Sequence, residues 1–143
     1  MLRNIPPILS PDILWALRAM GHGDDLVIAD ANFPATALGQ RCYRLDGLSA
    51  TNVLEAVLTI LPLDAFVPDP ATVMEVVGDP DAVPPVVTHF QAITTATADN
   101  PVTLRGLERF AFYERAKSAF AVIQTGETRL YGNIILKKGV IGT

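Results

Sequence analysis

The chain has 143 residues, a formal net charge of −4 and a sequence pI near 5.0. This acidic balance lacks the basic stripe that nucleic acids require and argues against adhesion to an anionic membrane, so neither partner is expected. Half of the residues are apolar and only 18% are charged, below the ~25% usual for soluble domains. The surplus of apolar side chains favours a homo-oligomer.

The length is typical of one domain, and we expect residues 1–143 to form a single unit. Cys42 is the only cysteine, which excludes an intrachain disulfide and a cysteine-based metal cluster and favours a cytoplasmic protein. The N-terminus lacks the layout of a signal peptide, and no apolar run approaches the ~20 residues of a membrane span. We therefore expect a soluble protein.

The first predicted element is a helix that begins at Ser10-Pro11-Asp12, where an N-cap, a first-turn proline and an acid follow one another. Gly21 stands where a left-handed C-terminal residue is expected. The apolar run 26–29 predicts a buried strand. His22 should lie between these two elements, and Asp30 at the far end of the strand, where open α/β sheets bind ligands.

The rest of the chain alternates between strand-like and helix-like patterns. It predicts a helix in 49–61, with Asn52 and Glu55 as a capping pair. The other expected elements, in chain order, are a strand in 40–45, a strand in 71–77, a helix in 84–96, a strand in 102–104, a helix in 108–120 and strands in 121–123 and 134–136. This alternation predicts a three-layer α/β domain.

His22 is the candidate for chemistry, because an imidazole can give and take a proton near neutrality and its flanking glycines let another molecule approach closely. The alternative is a loop histidine that caps the carbonyl groups of the preceding helix. No metal-ligand spacing, nucleophile elbow or phosphate-binding loop is present. His89 falls within a predicted helix, where a structural role is expected.

Two stretches of the last third carry side chains suited to a polyhydroxylated ligand. In 108–115, Arg109 can donate several hydrogen bonds and Tyr113 can stack or donate. In 130–133, Gly132 allows close approach, with Tyr131 and Asn133 as polar groups. Each has a plain structural alternative, which is an amphipathic helix for the first and a hairpin turn for the second.

Three motifs together resemble the ribose pyranase and fucose mutarotase family. They are Gly21-His22-Gly23-Asp24 with the run 30–35, the stretch 109–115, and the stretch 131–140. The similarity extends from about Leu2 to Val140, and the stretch 109–115 resembles the L-fucose mutarotase branch. Three motifs in the right order make the resemblance specific.

This resemblance implies a sugar mutarotase that interconverts the α and β anomers of L-fucose or a related monosaccharide, without a metal or organic cofactor. It implies an α/β/α fold with a central mixed, mostly parallel sheet, and a homo-oligomer, commonly a decamer, with sites near subunit contacts. His22 matches the family's proton donor. The positions that match its sugar-binding residues are Asp30, Arg109, Tyr113, Tyr131, Gly132 and Asn133.

The chain departs from the family pattern at Asn32, where many fucose mutarotases have a histidine, so the sugar preference is left open. A ribose-type pyranase and a monosaccharide-binding module without turnover are the alternatives. A purely structural oligomer, in which His22 only caps a helix, is a third interpretation. On the mutarotase hypothesis, Asp30 holds a sugar hydroxyl or orients the imidazole, and Phe33 and Tyr113 form apolar walls.

Overall fold

A six-stranded sheet forms the middle layer of the computed structural model, which describes residues 1–143. Its strands are β1 (Asp25–Ala29), β2 (Cys42–Leu45), β3 (Ala71–Met74), β4 (Arg105–Leu107), β5 (Ala121–Thr125) and β6 (Ile134–Lys137). The strand order is β2-β5-β1-β6-β3-β4. The first five strands run in one direction, and β6 is antiparallel to both neighbours. The prediction of a mixed, mostly parallel sheet is confirmed.

Helices cover both faces of this sheet. They are α1 (Pro11–Ala19), α2 (Ala35–Leu38), α3 (Ala50–Leu58), α4 (Pro85–Thr97) and α5 (Arg109–Ser118). On β1, Leu26 and Ile28 pack towards α1, α3 and α4, whereas Val27 and Ala29 pack towards α2 and α5. Both faces of the strand are buried, as its continuous apolar run indicated. The predicted three-layer α/β/α arrangement is therefore correct, although α2 was not foreseen.

Helix α1 begins as predicted but ends differently. Ser10 Oγ accepts a hydrogen bond from Ile13 N–H, and Pro11 is the first helical residue. Gly21 is not left-handed, and the positive φ of +85° belongs to Gly23. Lys138 Nζ donates to the carbonyl oxygens of Leu17 and Met20 at 2.7 and 2.6 Å. A lysine from the far end of the chain thus satisfies the helix terminus, so neither a glycine nor His22 caps it.

Several other boundaries differ from the predicted ones. The strand expected in 102–104 lies at 105–107, because the side-chain amide of Gln91 occupies the backbone groups of Val102 and Leu104. Helix α3 ends at Leu58, and Ser49 Oγ, which accepts from Asn52 N–H, caps it in place of the predicted Asn52–Glu55 pair. Strand β3 stops at Met74, after which the chain turns at Gly78 with φ +79°.

The strand directions define two edges of the sheet. At the carboxyl edge, β1 to β5 end and β6 begins; at the amino edge, β1 to β5 begin and β6 ends. Loops that follow parallel strands gather at the carboxyl edge, which is where open α/β sheets bind ligands. The longest helix, α4, has 13 residues, and no helix combines the length and the hydropathy needed to cross a bilayer.

Candidate functional site

A cavity of about 190 Å³ opens at the carboxyl edge. It is smaller than the ~300–1,000 Å³ typical of pockets for drug-sized ligands. Its walls come from the loop after β1, from the end of β3 and the loop that follows it, from α5 and from the loop before β6. They are formed by Asp30, Asn32, Phe33, Met74, Val77, Arg109, Tyr113, Leu130, Tyr131 and Asn133. Polar groups and apolar surface thus share one small space, which suits a compact polar ligand.

Asp30 and Asn133 form the floor of this cavity. Asn133 Oδ1 accepts from the Asp30 backbone N–H at 2.8 Å, and Asn133 Nδ2 donates to Asp30 Oδ2 at 3.1 Å. Asn32 N–H donates to the other carboxylate oxygen. Gln124 Nε2 donates to the backbone oxygens of Asp30 and Phe33 and fixes the loop from below. The carboxylate is therefore held in place before any ligand arrives.

Burial changes the acidity of Asp30, which is only 5% exposed. Loss of hydration raises the pKa of this carboxyl above its ordinary value, although hydrogen bonds from Asn32, Asn133, Phe33 and Gly132 oppose the rise. The carboxylate accordingly holds a proton more readily than an exposed aspartate, and it is a stronger hydrogen-bond acceptor.

Helix α5 supplies the cationic side of the cavity. Arg109 and Tyr113 are four residues apart, so they lie on the same face of the helix. Arg109 Nε donates to the Tyr113 hydroxyl at 3.2 Å, and the remaining guanidinium N–H groups are free to donate elsewhere. Phe33 packs edge-on against Tyr113 at 5.5 Å between ring centroids. A charged donor and an aromatic wall therefore stand side by side.

The turn before β6 completes the cavity. Tyr131 adopts a left-handed backbone with φ 64°, and its hydroxyl oxygen accepts from Val77 N–H at 3.2 Å. The Tyr131 O–H remains available as a donor. Gly132 lies behind the lining, and a Cβ atom there would come within 2.8 Å of Glu127 Cγ and 3.3 Å of Asp30 Cβ. Only glycine lets this turn pack so closely against Asp30.

His22 lies elsewhere, at the amino edge. Its Nε2 is 3.0 Å from Oδ1 of Asp64, a carboxylate whose side chain is 3% exposed, while the imidazole is 45% exposed. Asp64 N–H donates to the Lys137 carbonyl at the end of β6, which places Asp64 at that edge. The imidazole is thus oriented by Asp64 and not by Asp30, and Asp64 was missed in the sequence, where a lone aspartate carries no signal.

Asp64 determines which ring nitrogen of His22 is free. Burial alone would raise the pKa of Asp64, but hydrogen bonds from His22 and from the Phe66 and Ala65 backbones outweigh it, so the pKa lies below the usual range. An ionised carboxylate only accepts hydrogen bonds, so His22 Nε2 is the donor. Nδ1 of His22 is left to exchange a proton with another molecule.

The expected site residues therefore form two groups within one chain. Asp30, Arg109, Tyr113, Tyr131 and Asn133 line the cavity, with Gly132 behind them. His22 is separated from them by the five residues of β1, about 16 Å of strand. One chain cannot bring His22 Nδ1 to a ligand in its own cavity.

His89, expected to be structural, lies on α4 with its Nδ1 3.4 Å from Arg129 Nη1, away from the cavity lining. No group of three or more His, Cys, Asp or Glu side chains is close enough to hold a metal ion. The cavity of the described chain thus offers hydrogen bonds, one buried carboxylate and one guanidinium for binding.

The fold and the cavity define a small α/β protein with a compact cavity of mixed polar and apolar lining at the carboxyl edge of its sheet. The chain belongs to the RbsD / FucU transport protein family, whose model matches residues 3–141. The family membership predicted from the three sequence motifs is confirmed.

Several relatives align with nearly the whole chain. The chain is 51% identical to the bovine (Bos taurus) fucose mutarotase, over 99% of this chain and 95% of that protein. It is 45% identical to the L-fucose mutarotase of Histophilus somni, over 98% and 97% of the two chains. The crystal structure of the Streptococcus pneumoniae fucose mutarotase in complex with L-fucose superposes with a TM-score of 0.91, at 40% identity over 99% of this chain and all of that one.

Proposed function

We propose that this protein is a mutarotase that interconverts the α and β anomers of L-fucose. One observation carries the proposal: the cavity combines the buried Asp30 carboxylate and the Arg109 guanidinium with an apolar wall, in a chain that is 40–51% identical to proteins named fucose mutarotase. We expect no metal or organic cofactor to be needed.

The cavity matches the chemistry of a 6-deoxy sugar. L-Fucose has hydroxyl groups that donate to a carboxylate and accept from a guanidinium, together with a methyl group at C6. Asp30, Arg109 and Asn133 would bind the hydroxyl groups, with the Tyr131 O–H as a further donor. Phe33, Met74, Val77, Tyr113 and Leu130 provide apolar surface for the methyl group and the C–H face of the ring.

The reaction requires one proton to arrive at the ring oxygen and another to leave the anomeric hydroxyl. Protonated His22 would donate from Nδ1 to the ring oxygen O5. The C1–O5 bond breaks as the O1 proton leaves and C1=O1 forms. Asp30 is the carboxylate available to accept the O1 proton, directly or through water. Rotation about C1–C2 and reversal of these transfers give the other anomer, and no bond forms between protein and sugar.

The two groups of residues imply that the active site is shared between copies of the chain. Because His22 and the cavity lie at opposite edges of the sheet, His22 of one copy would act on a sugar in the cavity of a neighbour. Exposed apolar side chains adjoin both groups, with Phe66 beside His22, and with Val77 and Leu130 at the cavity. We therefore propose a homo-oligomer, of which the decamer implied by the family resemblance is the expected form.

The proposal covers the whole chain, with residues 1–143 as one mutarotase domain acting in the cytoplasm. The cytoplasmic assignment is supported by the lone cysteine, Cys42, which is free. The sugar is the monosaccharide partner, and nucleic acid and membrane partners are not expected.

Saturation-transfer NMR on L-fucose, D-ribose and D-galactose tests the proposal. The protein should accelerate α/β exchange of L-fucose well beyond the rate in buffer. Saturable binding of one anomer without faster exchange would instead indicate a binding module. Acceleration confined to the pyranose–furanose conversion of ribose would indicate a pyranase, and either result would contradict the assignment.

A further inference from the structure

We propose that Phe66 forms an apolar wall of the sugar site, supplied by the copy that supplies His22. This inference rests on the proposed function, because it concerns the substrate of the same site. Phe66 follows Asp64 by two residues and is 75% exposed. This exposed phenyl ring lies beside the imidazole, so it offers an apolar surface at the point where His22 would meet the sugar.

One oxygen atom of Asp64 links Phe66 to His22. Oδ1 of Asp64 accepts from His22 Nε2 at 3.0 Å and from the Phe66 backbone N–H at 3.2 Å. The two rings lie 5.3 Å apart between centroids, with their planes inclined by 56°. The carboxylate that orients the imidazole therefore also holds the backbone of Phe66, from which the aromatic side chain extends.

The segment that carries Asp64 and Phe66 is itself tied to the loop after α4. Asp99 Oδ1 accepts from Leu63 N–H at 2.9 Å, and Asn100 Nδ2 donates to the Asp64 carbonyl at 2.9 Å. Asp64 N–H is bonded to Lys137. Three hydrogen bonds to the backbone of Leu63 and Asp64 therefore hold this segment, so Phe66 is an exposed side chain on an anchored backbone.

The position of Phe66 beside His22 brings its ring within reach of the sugar. If His22 Nδ1 delivers a proton to O5, the two atoms must come within about 3 Å. The Phe66 ring, whose centroid is 5.3 Å from that of the imidazole, would then lie close enough to contact a sugar that spans several ångströms. Pyranoses expose C–H groups that pack on aromatic faces. The cavity provides one wall through Phe33 and Tyr113, and Phe66 would provide the opposite wall.

Kinetics of anomer exchange test this role. Phe66→Ala should raise KM for L-fucose about tenfold, the order expected when an apolar contact with the substrate is lost, with a smaller effect on kcat. Phe66→Tyr, which keeps the aromatic ring, should have a KM close to that of the wild-type protein. Trp15→Ala is the matched control, because Trp15 is another exposed aromatic residue at 56% exposure, and it should leave KM unchanged. Light scattering checks that each variant keeps its assembly.

If Phe66→Ala also weakens the assembly, a fluorescence experiment tests whether Phe66 contacts the sugar. Trp15 is the only tryptophan, so Phe66→Trp in a Trp15→Phe background places a single reporter at the proposed wall. L-Fucose should change its emission in a saturable manner. Unchanged emission at saturating L-fucose in an active, assembled variant would overturn the role of Phe66 and leave the mutarotase intact. Absence of exchange by the wild-type protein would instead remove the proposed function.

Discussion

Asp30 and Asn133 join the end of β1 to the start of β6 through two hydrogen bonds, each residue acting as donor to the other. The pair lies 103 positions apart in sequence and forms the floor of the cavity. It positions the carboxylate that we expect to bind the sugar, and it holds the loop that carries Tyr131. The pair therefore contributes to both stability and binding.

Asn133→Ala should lower the free energy of unfolding by about 1–3 kcal/mol, because it leaves buried polar groups of Asp30 without partners. It should also weaken binding of L-fucose, since the carboxylate loses its orientation. Urea unfolding and calorimetric titration measure the two effects. Asn52→Ala, at an exposed position of α3, is the control, and equal stability of the two variants would contradict the role of Asn133.

The pH dependence should reflect Asp30, whose pKa is raised above 3.8 by burial. Between the ordinary and the raised pKa, the folded protein binds a proton that the unfolded chain has released, so the contribution of Asp30 to stability falls as pH rises through this window. Sugar binding should change in the opposite sense, because the carboxylate is the acceptor, and affinity should weaken as pH falls through the raised pKa. Asp30→Asn should flatten both dependences, as measured by unfolding and by calorimetry at a series of pH values.

Asp64→Asn should lower kcat for L-fucose exchange by roughly 10- to 100-fold, part of the gain that positioned acid–base groups provide. The neutral amide no longer selects the His22 tautomer in which Nδ1 is free. KM should change little, because the Asp64 side chain is only 3% exposed and is hydrogen-bonded to His22 and to the Phe66 backbone. NMR exchange rates at several sugar concentrations separate the two constants. Asp81→Asn, at an exposed position, serves as control, and an unchanged kcat for Asp64→Asn would refute the tautomer argument.

Arg109→Lys should raise KM about tenfold or more, because lysine keeps the charge but loses the planar set of donors. The bond from Nε to the Tyr113 hydroxyl disappears as well. Tyr113→Phe should have a smaller effect, since it removes only the hydroxyl and leaves the ring beside Phe33. Tyr43→Phe, outside the cavity lining, is the control. A larger effect from Tyr113→Phe than from Arg109→Lys would contradict the assignment of Arg109 as the main donor.

The strands β1, β3, β5 and β6 were predictable because they are buried on both faces. The run 26–29 identified β1 almost to the residue, and the position of Asp30 at its carboxyl end followed directly. The errors arose where distant side chains replace local signals. The Lys138 side chain, and not a left-handed Gly21, satisfies the carbonyl groups at the end of α1. The Gln91 side chain bonds the backbone groups of Val102 and Leu104, so these residues do not join the sheet.

The length of β1 implied that His22 lies far from the cavity. The sequence motifs obscured this separation, because they identify the residues of a site but not the copy of the chain that provides each residue. Asp64 and Phe66 could not have been found from the sequence. Their proximity to His22 depends on hydrogen bonds from Asp64 N–H to Lys137 and from Asn100 to the Asp64 carbonyl, which only the fold brings together.

Co-expression of His22→Ala and Arg109→Ala chains tests the shared site most directly, through the exchange rate of L-fucose in the mixed assembly. Each variant alone should be strongly impaired. In a random mixture, about a quarter of the sites combine an intact cavity with an intact His22 from the neighbour, so we predict recovery towards a quarter of wild-type activity. A mixture no more active than the mean of the separate variants would contradict a site shared between copies.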